Sequence, residues 1–104
     1  MSDYVLVNGE LTSSICVRDR GLQYGDGLFE TIAVFNGQAC QLNAHLQRLQ
    51  GGLQRLNIQG VDLDAVANDL KQSATFAGEG VLKLTVTRGQ SRRGYAIPAD
   101  IKAN

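Results

Sequence analysis

Apolar and polar residues along this 104-residue chain change rhythm twice, and each rhythm predicts its own kind of element. The opening stretch YVLVNGELTSSICV (4–17) is a β-rich run, an Asn8-Gly9 pair and a second strand-like run. Both central positions of a tight hairpin turn need positive φ, which Asn-Gly tolerates, so this stretch predicts a hairpin. LFETIAVFNGQACQL (28–42) repeats the arrangement with Asn36-Gly37 at its tip. Two hairpins so early in the chain predict an antiparallel sheet.

The period then lengthens. In LNAHLQRLQGGLQRLNI (42–58), Leu46, Leu49, Leu53 and Leu56 recur at spacings of three and four, one face of a helix. Asn43 is its expected N-cap. Gly51 and Gly52 each weaken that helix by about 1 kcal/mol against alanine, so either it bends there or something packs close. VDLDAVANDLKQSATFAG (61–78) predicts a second helix capped by Asp62, with Leu63, Val66, Leu70 and Ala74 inward. Gly78 and Gly80 close it. VLKLTVTRG (81–89) returns to a period of two, with Leu82, Leu84 and Val86 on one face and Lys83, Thr85 and Thr87 on the other. A basic loop and a tail, QSRRGYAIPADIKAN, follow. Strands, two helices and a strand read as one α+β domain: an antiparallel sheet with two helices packed on one face.

Composition narrows the function. With 43% hydrophobic residues the chain can build a core, and 12 glycines against one proline leave the turns to glycine. A formal net charge of zero argues against a general nucleic-acid or acidic-membrane binder, although one small anion in one pocket stays compatible. Cys16 and Cys40 form no C-x-x-C and no disulfide framework; they read as two buried or half-buried thiols in a reducing cytoplasm. There is no signal-peptide pattern and no apolar run long enough to span a bilayer. The expectation is a soluble, cytoplasmic protein with neither nucleic-acid nor membrane partners.

Candidate chemistry begins at DRGLQYGDGLFET (19–31). GDGLFE resembles the start of a dinucleotide loop, but Glu30 stands where the third glycine belongs. A β-like run follows it rather than a helix, so that reading fails. His45 lacks a ligand cluster nearby in sequence, and no metal site is predicted. Arg48 lies beside the leucine stripe. It reads either as a solvated helix arginine or as a stem-buried fork presented to an anion. Arg88, Arg92 and Arg93, with Tyr95 beside them, form either a carboxylate clamp or a solubilising loop. Lys71, Lys83 and Lys102 lack the pattern of a desolvated Schiff-base lysine, although Lys83, on the polar face of its strand, could help line a pocket.

Three blocks taken in order, DRGLQYGDGLFETIAVFNGQ, LNAHLQRLQGGLQRLNI and GVLKLTVTRGQSRRGY, resemble the fold-type IV pyridoxal-phosphate enzymes. That family includes branched-chain and D-amino-acid aminotransferases and 4-amino-4-deoxychorismate lyase. The wording GVLKLTVTRG followed by RGY is most similar to the lyases. The resemblance implies pyridoxal 5′-phosphate as cofactor, a small-molecule substrate and a homodimer. It implies that Arg48, in the H-x-x-R-L block, binds the cofactor's phosphate, and that Phe29 faces the substrate. It implies that Arg93 and Tyr95 hold substrate carboxylates, from a loop that in some relatives reaches the other subunit's site. Residues 1–104 would then be the smaller N-terminal domain, with the C-terminal domain and the Schiff-base lysine beyond residue 104 and no catalytic residue within it. The implied reaction yields 4-aminobenzoate and pyruvate, a step in folate synthesis. The alternatives are an aminotransferase of the same family, or a truncated, non-catalytic binding module.

Overall fold

The computed structural model describes residues 4–91 and 96–104. Both Asn-Gly pairs turn in the left-handed region, Asn8 and Gly9 at φ 53° and 82°, Asn36 and Gly37 at 55° and 72°. The first joins β1 (Leu6–Val7) to β2 (Glu10–Leu11), and the second joins β3 (Gly27–Phe35) to β4 (Gln38–Ala39). Between the hairpins lies a short helix that the periodicity does not predict, α1 (Arg20–Tyr24). After them come α2 (Leu42–Leu56), α3 (Leu63–Ala77) and β5 (Gly80–Thr87). β5 pairs antiparallel with β3 from Gly27 opposite Thr87 to Val34 opposite Gly80. The main sheet therefore runs β4-β3-β5, with the first hairpin as a separate two-stranded sheet.

Strand alternation decides which face the helices cover. On β3, Glu30, Ile32 and Val34 are buried while Phe29, Thr31, Ala33 and Phe35 are exposed. On β5, Leu84 and Val86 pack with Leu49 and Leu53 of α2, with Ile58, Leu63 and Val66 in the same cluster, and Leu82 is half-buried on that face. Leu70 and Ala74 of α3 are buried as expected. The α+β architecture with both helices on one face is the one the sequence implies. Among the described residues the opposite face of the sheet is exposed, at Phe29, Phe35 and Val81.

Several details differ from the sequence pattern. The N-cap of α2 is Gln41, in the left-handed region at φ 57°, and Asn43 lies inside the helix. The chain enters α2 straight from the β4 hairpin, and this tight entry places the helix start earlier than a polar-residue rule does. Leu56, the last of the leucine stripe, is 40% exposed, and Ile58, just past the helix, takes its place in the core. Gly52 answers the question of the glycine pair: a β-carbon there would collide with the Leu28 side chain, so close packing is the reason, while Gly51 faces open space. Asp62 caps α3 as predicted, accepting from the backbone N–H of Asp64 and Ala65. Thr87, at a polar position of the alternation, is buried because its hydroxyl donates to Asp19 at 2.6 Å. Cys40 is half-buried, but Cys16 is exposed, because the segment after β2 runs over the surface. No helix among the described residues is long and apolar enough to cross a membrane.

Candidate functional site

The stretch around the Gly-Asp-Gly turn is built on buried polar groups. Asp19 is fully buried and caps α1, its carboxylate accepting from the N–H of Gly21 and Leu22. The same carboxylate accepts from Asn104 at 2.7 Å, so α1 is tied to the end of β5 and to the tail. α1 ends at Gly25, and Gly27 then opens β3 so close to its partner strand that a β-carbon would strike the Val86 carbonyl. The glycine at 27 exists to admit that backbone contact.

Asp26 sits between two arginines. It accepts from Arg20 Nε and from Arg88 Nε, each at 2.8 Å. Burial pushes its carboxyl upward, but the hydrogen bonds from Arg88 and Arg20 outweigh that and hold it below the ordinary value. Arg88 also donates to the carbonyls of Leu56 at 2.6 Å and Asn57 at 3.0 Å, closing the C-terminus of α2. Arg88, which the sequence leaves as part of either a carboxylate clamp or a solubilising loop, is a structural tie between Asp26 and the end of α2. Arg20 is buried too, and its Nη1 reaches Ser91 Oγ at 3.2 Å and the Ala96 carbonyl at 3.4 Å.

The second group lies where α2 crosses β3. Glu30 points inward from β3, and its side chain is only 6% exposed. Arg48 donates to it through Nε, at 3.1 and 3.0 Å to the two oxygens, and through Nη2 at 2.8 Å. His45 Nδ1 lies 2.6 Å from Glu30 Oε1. The Arg48 bonds lower the Glu30 carboxyl below its ordinary value against the opposing effect of burial, with His45 adding to the decrease. Glu30 in turn raises the already high value of Arg48. A guanidinium has five N–H donors in a planar fork, and among the described residues only the Nε and Nη2 side is engaged. The Arg48 side chain is 71% exposed, so its remaining edge faces solvent, in a geometry suited to two oxygens of a phosphate or carboxylate.

Glu30 escaped the sequence reading, which treated it only as a departure from a glycine motif. Its signal was a carboxylate on the same strand face as Ile32 and Val34, a position that demands a cationic partner. Phe29 is 60% exposed on the open face, with Lys83 Nζ 4.9 Å from its ring centroid. Consecutive strand residues point to opposite faces, so Phe29 and the Glu30–Arg48 pair lie on opposite sides of the sheet. Arg93 and Tyr95 lie outside the described residues, as does Arg92. Among the described residues no cluster of His, Cys, Asp or Glu could hold a metal ion.

Residues 27–103 match the family model for amino-transferase class IV, a span that includes Phe29, Glu30, His45 and Arg48. The chain belongs to the class IV aminotransferases. Within that family it is 47% identical to the crystal structure of 4-amino-4-deoxychorismate lyase from Pseudomonas aeruginosa, with a TM-score of 0.87 over 92% of this chain and 35% of that one. It is 32% identical over 107 residues to the D-alanine aminotransferase of Bacillus licheniformis, covering 93% of this chain and 37% of the relative. A hypothetical aminotransferase from Mycobacterium tuberculosis, solved in a PLP-bound form, superposes with a TM-score of 0.73 at 29% identity over 94% of this chain and 34% of that one. This class IV chain thus spans about a third of the length of the relatives it matches.

Proposed function

We propose that this chain forms the N-terminal part of a pyridoxal-phosphate-dependent lyase that converts 4-amino-4-deoxychorismate to 4-aminobenzoate and pyruvate in folate synthesis. The observation that carries the cofactor assignment is the Arg48 fork: one edge engaged by a buried carboxylate, the other open to solvent. Those donors fit a phosphate monoester, whose oxygens accept two parallel N–H bonds from one guanidinium edge. Likeness to the Pseudomonas aeruginosa lyase favours elimination as the reaction. When bound, the cofactor supplies an electron sink that no side chain provides.

The residues of this chain bind and orient. Arg48 holds the phosphate. Phe29, exposed on β3, faces the substrate. Arg93 and Tyr95 take the substrate's carboxylates. In this reading the lysine comes from a second domain, in the part of the relatives' length that this chain does not span, and the whole enzyme is a cytoplasmic homodimer. A D-amino-acid aminotransferase is the second reading, favoured by the 32% identity to the Bacillus licheniformis enzyme.

Two chimeras test the choice. The chain replaces the N-terminal third of the Pseudomonas aeruginosa lyase in one and of the Bacillus licheniformis aminotransferase in the other. Pyruvate release from 4-amino-4-deoxychorismate by the first, with no amino transfer from D-alanine to 2-oxoglutarate by the second, is expected. The reverse pattern replaces the lyase with the aminotransferase. In the active chimera, Arg48→Ala should weaken cofactor retention, and unchanged retention removes Arg48 from the phosphate site.

A further inference from the structure

Arg48 and Glu30 differ in a way that assigns each a task. Arg48 is largely in solvent, on a long side chain with much rotamer freedom to lose. Glu30 is the opposite: buried, on the central strand of the sheet, with fully buried Ile32 two residues along the same face. Among the described residues, the Arg48 side chain donates its hydrogen bonds to this carboxylate. His45 and Arg48 are three residues apart on α2 and so share a helix face. From that face both reach Glu30, His45 at Oε1 and Arg48 at both oxygens.

We propose that Glu30 is a positioning residue that sets the plane of the Arg48 guanidinium and keeps its unused edge presented to a phosphate monoester, with His45 steadying the carboxylate from the preceding turn. The inference rests on the reading of Arg48 as the phosphate ligand. A planar fork can offer a phosphate one edge at a time. Glu30 occupies the Nε–Nη2 edge and so selects the other. An arginine ordered beforehand loses less freedom when the phosphate arrives, which tightens binding without a new contact. The carboxylate's negative charge acts the other way, repelling the anion. It lies behind the guanidinium from the approaching phosphate, and solvent at this exposed site screens it. Orientation therefore dominates. Loss of one immobilised side chain's ordering corresponds to about three- to tenfold in the dissociation constant.

The test uses the 104-residue chain, labelled with nitrogen-15 and titrated by NMR with pyridoxamine 5′-phosphate, whose amine does not condense with lysines. Pyridoxamine, without the phosphate, is the control. The variants are Glu30→Gln, Glu30→Asp, Arg48→Ala and the Glu30→Gln/Arg48→Ala double. Glu30→Asp keeps the charge but withdraws it by one methylene, so it separates orientation from repulsion and serves if Glu30→Gln does not fold. The expected result is about three- to tenfold weaker phosphate-dependent binding in Glu30→Gln and Glu30→Asp. No further loss is expected when Glu30→Gln is added to Arg48→Ala, and no change in pyridoxamine binding. Unchanged or tighter binding in the Glu30 variants, with a clear loss in Arg48→Ala, overturns the positioning role and leaves the phosphate assignment standing. An equal additional loss on the Arg48→Ala background overturns it as well, because Glu30 then acts through the fold. If Arg48→Ala binds as the parent does, the phosphate assignment fails and the positioning role fails with it.

Discussion

Replacing Asp26 with asparagine removes the charge shared by the buried Arg20 and half-buried Arg88 guanidiniums while leaving the shape almost intact. The Arg20 and Arg88 side chains are 5% and 12% exposed and that of Asp26 15%, so bulk water compensates only in part. Breaking a buried pair from one side costs about 3–5 kcal/mol. Here the lower end applies. Arg88 keeps the carbonyls of Leu56 and Asn57, Arg20 keeps Ser91 and Ala96, and asparagine retains one acceptor oxygen. A loss of about 3 kcal/mol lowers the melting temperature of a chain this size by roughly 12–24 °C. Urea unfolding followed by circular dichroism at neutral pH measures the loss directly. The pH dependence supplies a second check. The folded carboxyl lies below its ordinary value of 3.8, so its stabilising contribution is complete above that value. It disappears as pH falls through the folded value, where the parent protein also carries a neutral group. The gap between parent and variant should therefore close in acid. A loss under about 1 kcal/mol at neutral pH, or a gap that persists unchanged in strong acid, refutes the argument that charge at this position holds the two arginines.

The remaining predictions are simpler. Gly27→Ala forces a β-carbon onto the Val86 carbonyl and should destabilise by about 1–3 kcal/mol, whereas Gly51→Ala, in open helical space, should stabilise by about 0.5–1 kcal/mol; parallel urea titrations read both, and equal signs contradict the packing described. Asp62→Ala removes two cap bonds from α3 and should cost about 1 kcal/mol in the same assay. Phe29→Ala, on the open sheet face, should change stability by less than about 1 kcal/mol; a larger loss would show a structural rather than a binding role.

The elements legible in the sequence were those set by local chemistry. Asn8-Gly9 and Asn36-Gly37 need no distant partner to turn, and Asp62 caps α3 with its own neighbours. The same reasoning overlooked α1, whose five residues are too few to show a helical period and whose cap, Asp19, is held by residues near the other end of the chain. Glu30 was equally invisible because its partners stand 15 and 18 residues away on another element. Arg88 stayed undecided between a ligand clamp and a solubilising loop because two further arginines stand beside it in sequence, while its actual acceptors are Asp26 and a helix end more than thirty residues upstream. Charge density along the sequence cannot separate an arginine that faces a ligand from one that ties two elements together.

Arg20 sets the order in which the fold can be completed. Its buried guanidinium donates to Ser91 Oγ and to the Ala96 carbonyl, 71 and 76 residues further along the chain. During synthesis the arginine emerges long before either acceptor, so the seat of α1 is finished only when those acceptors have arrived.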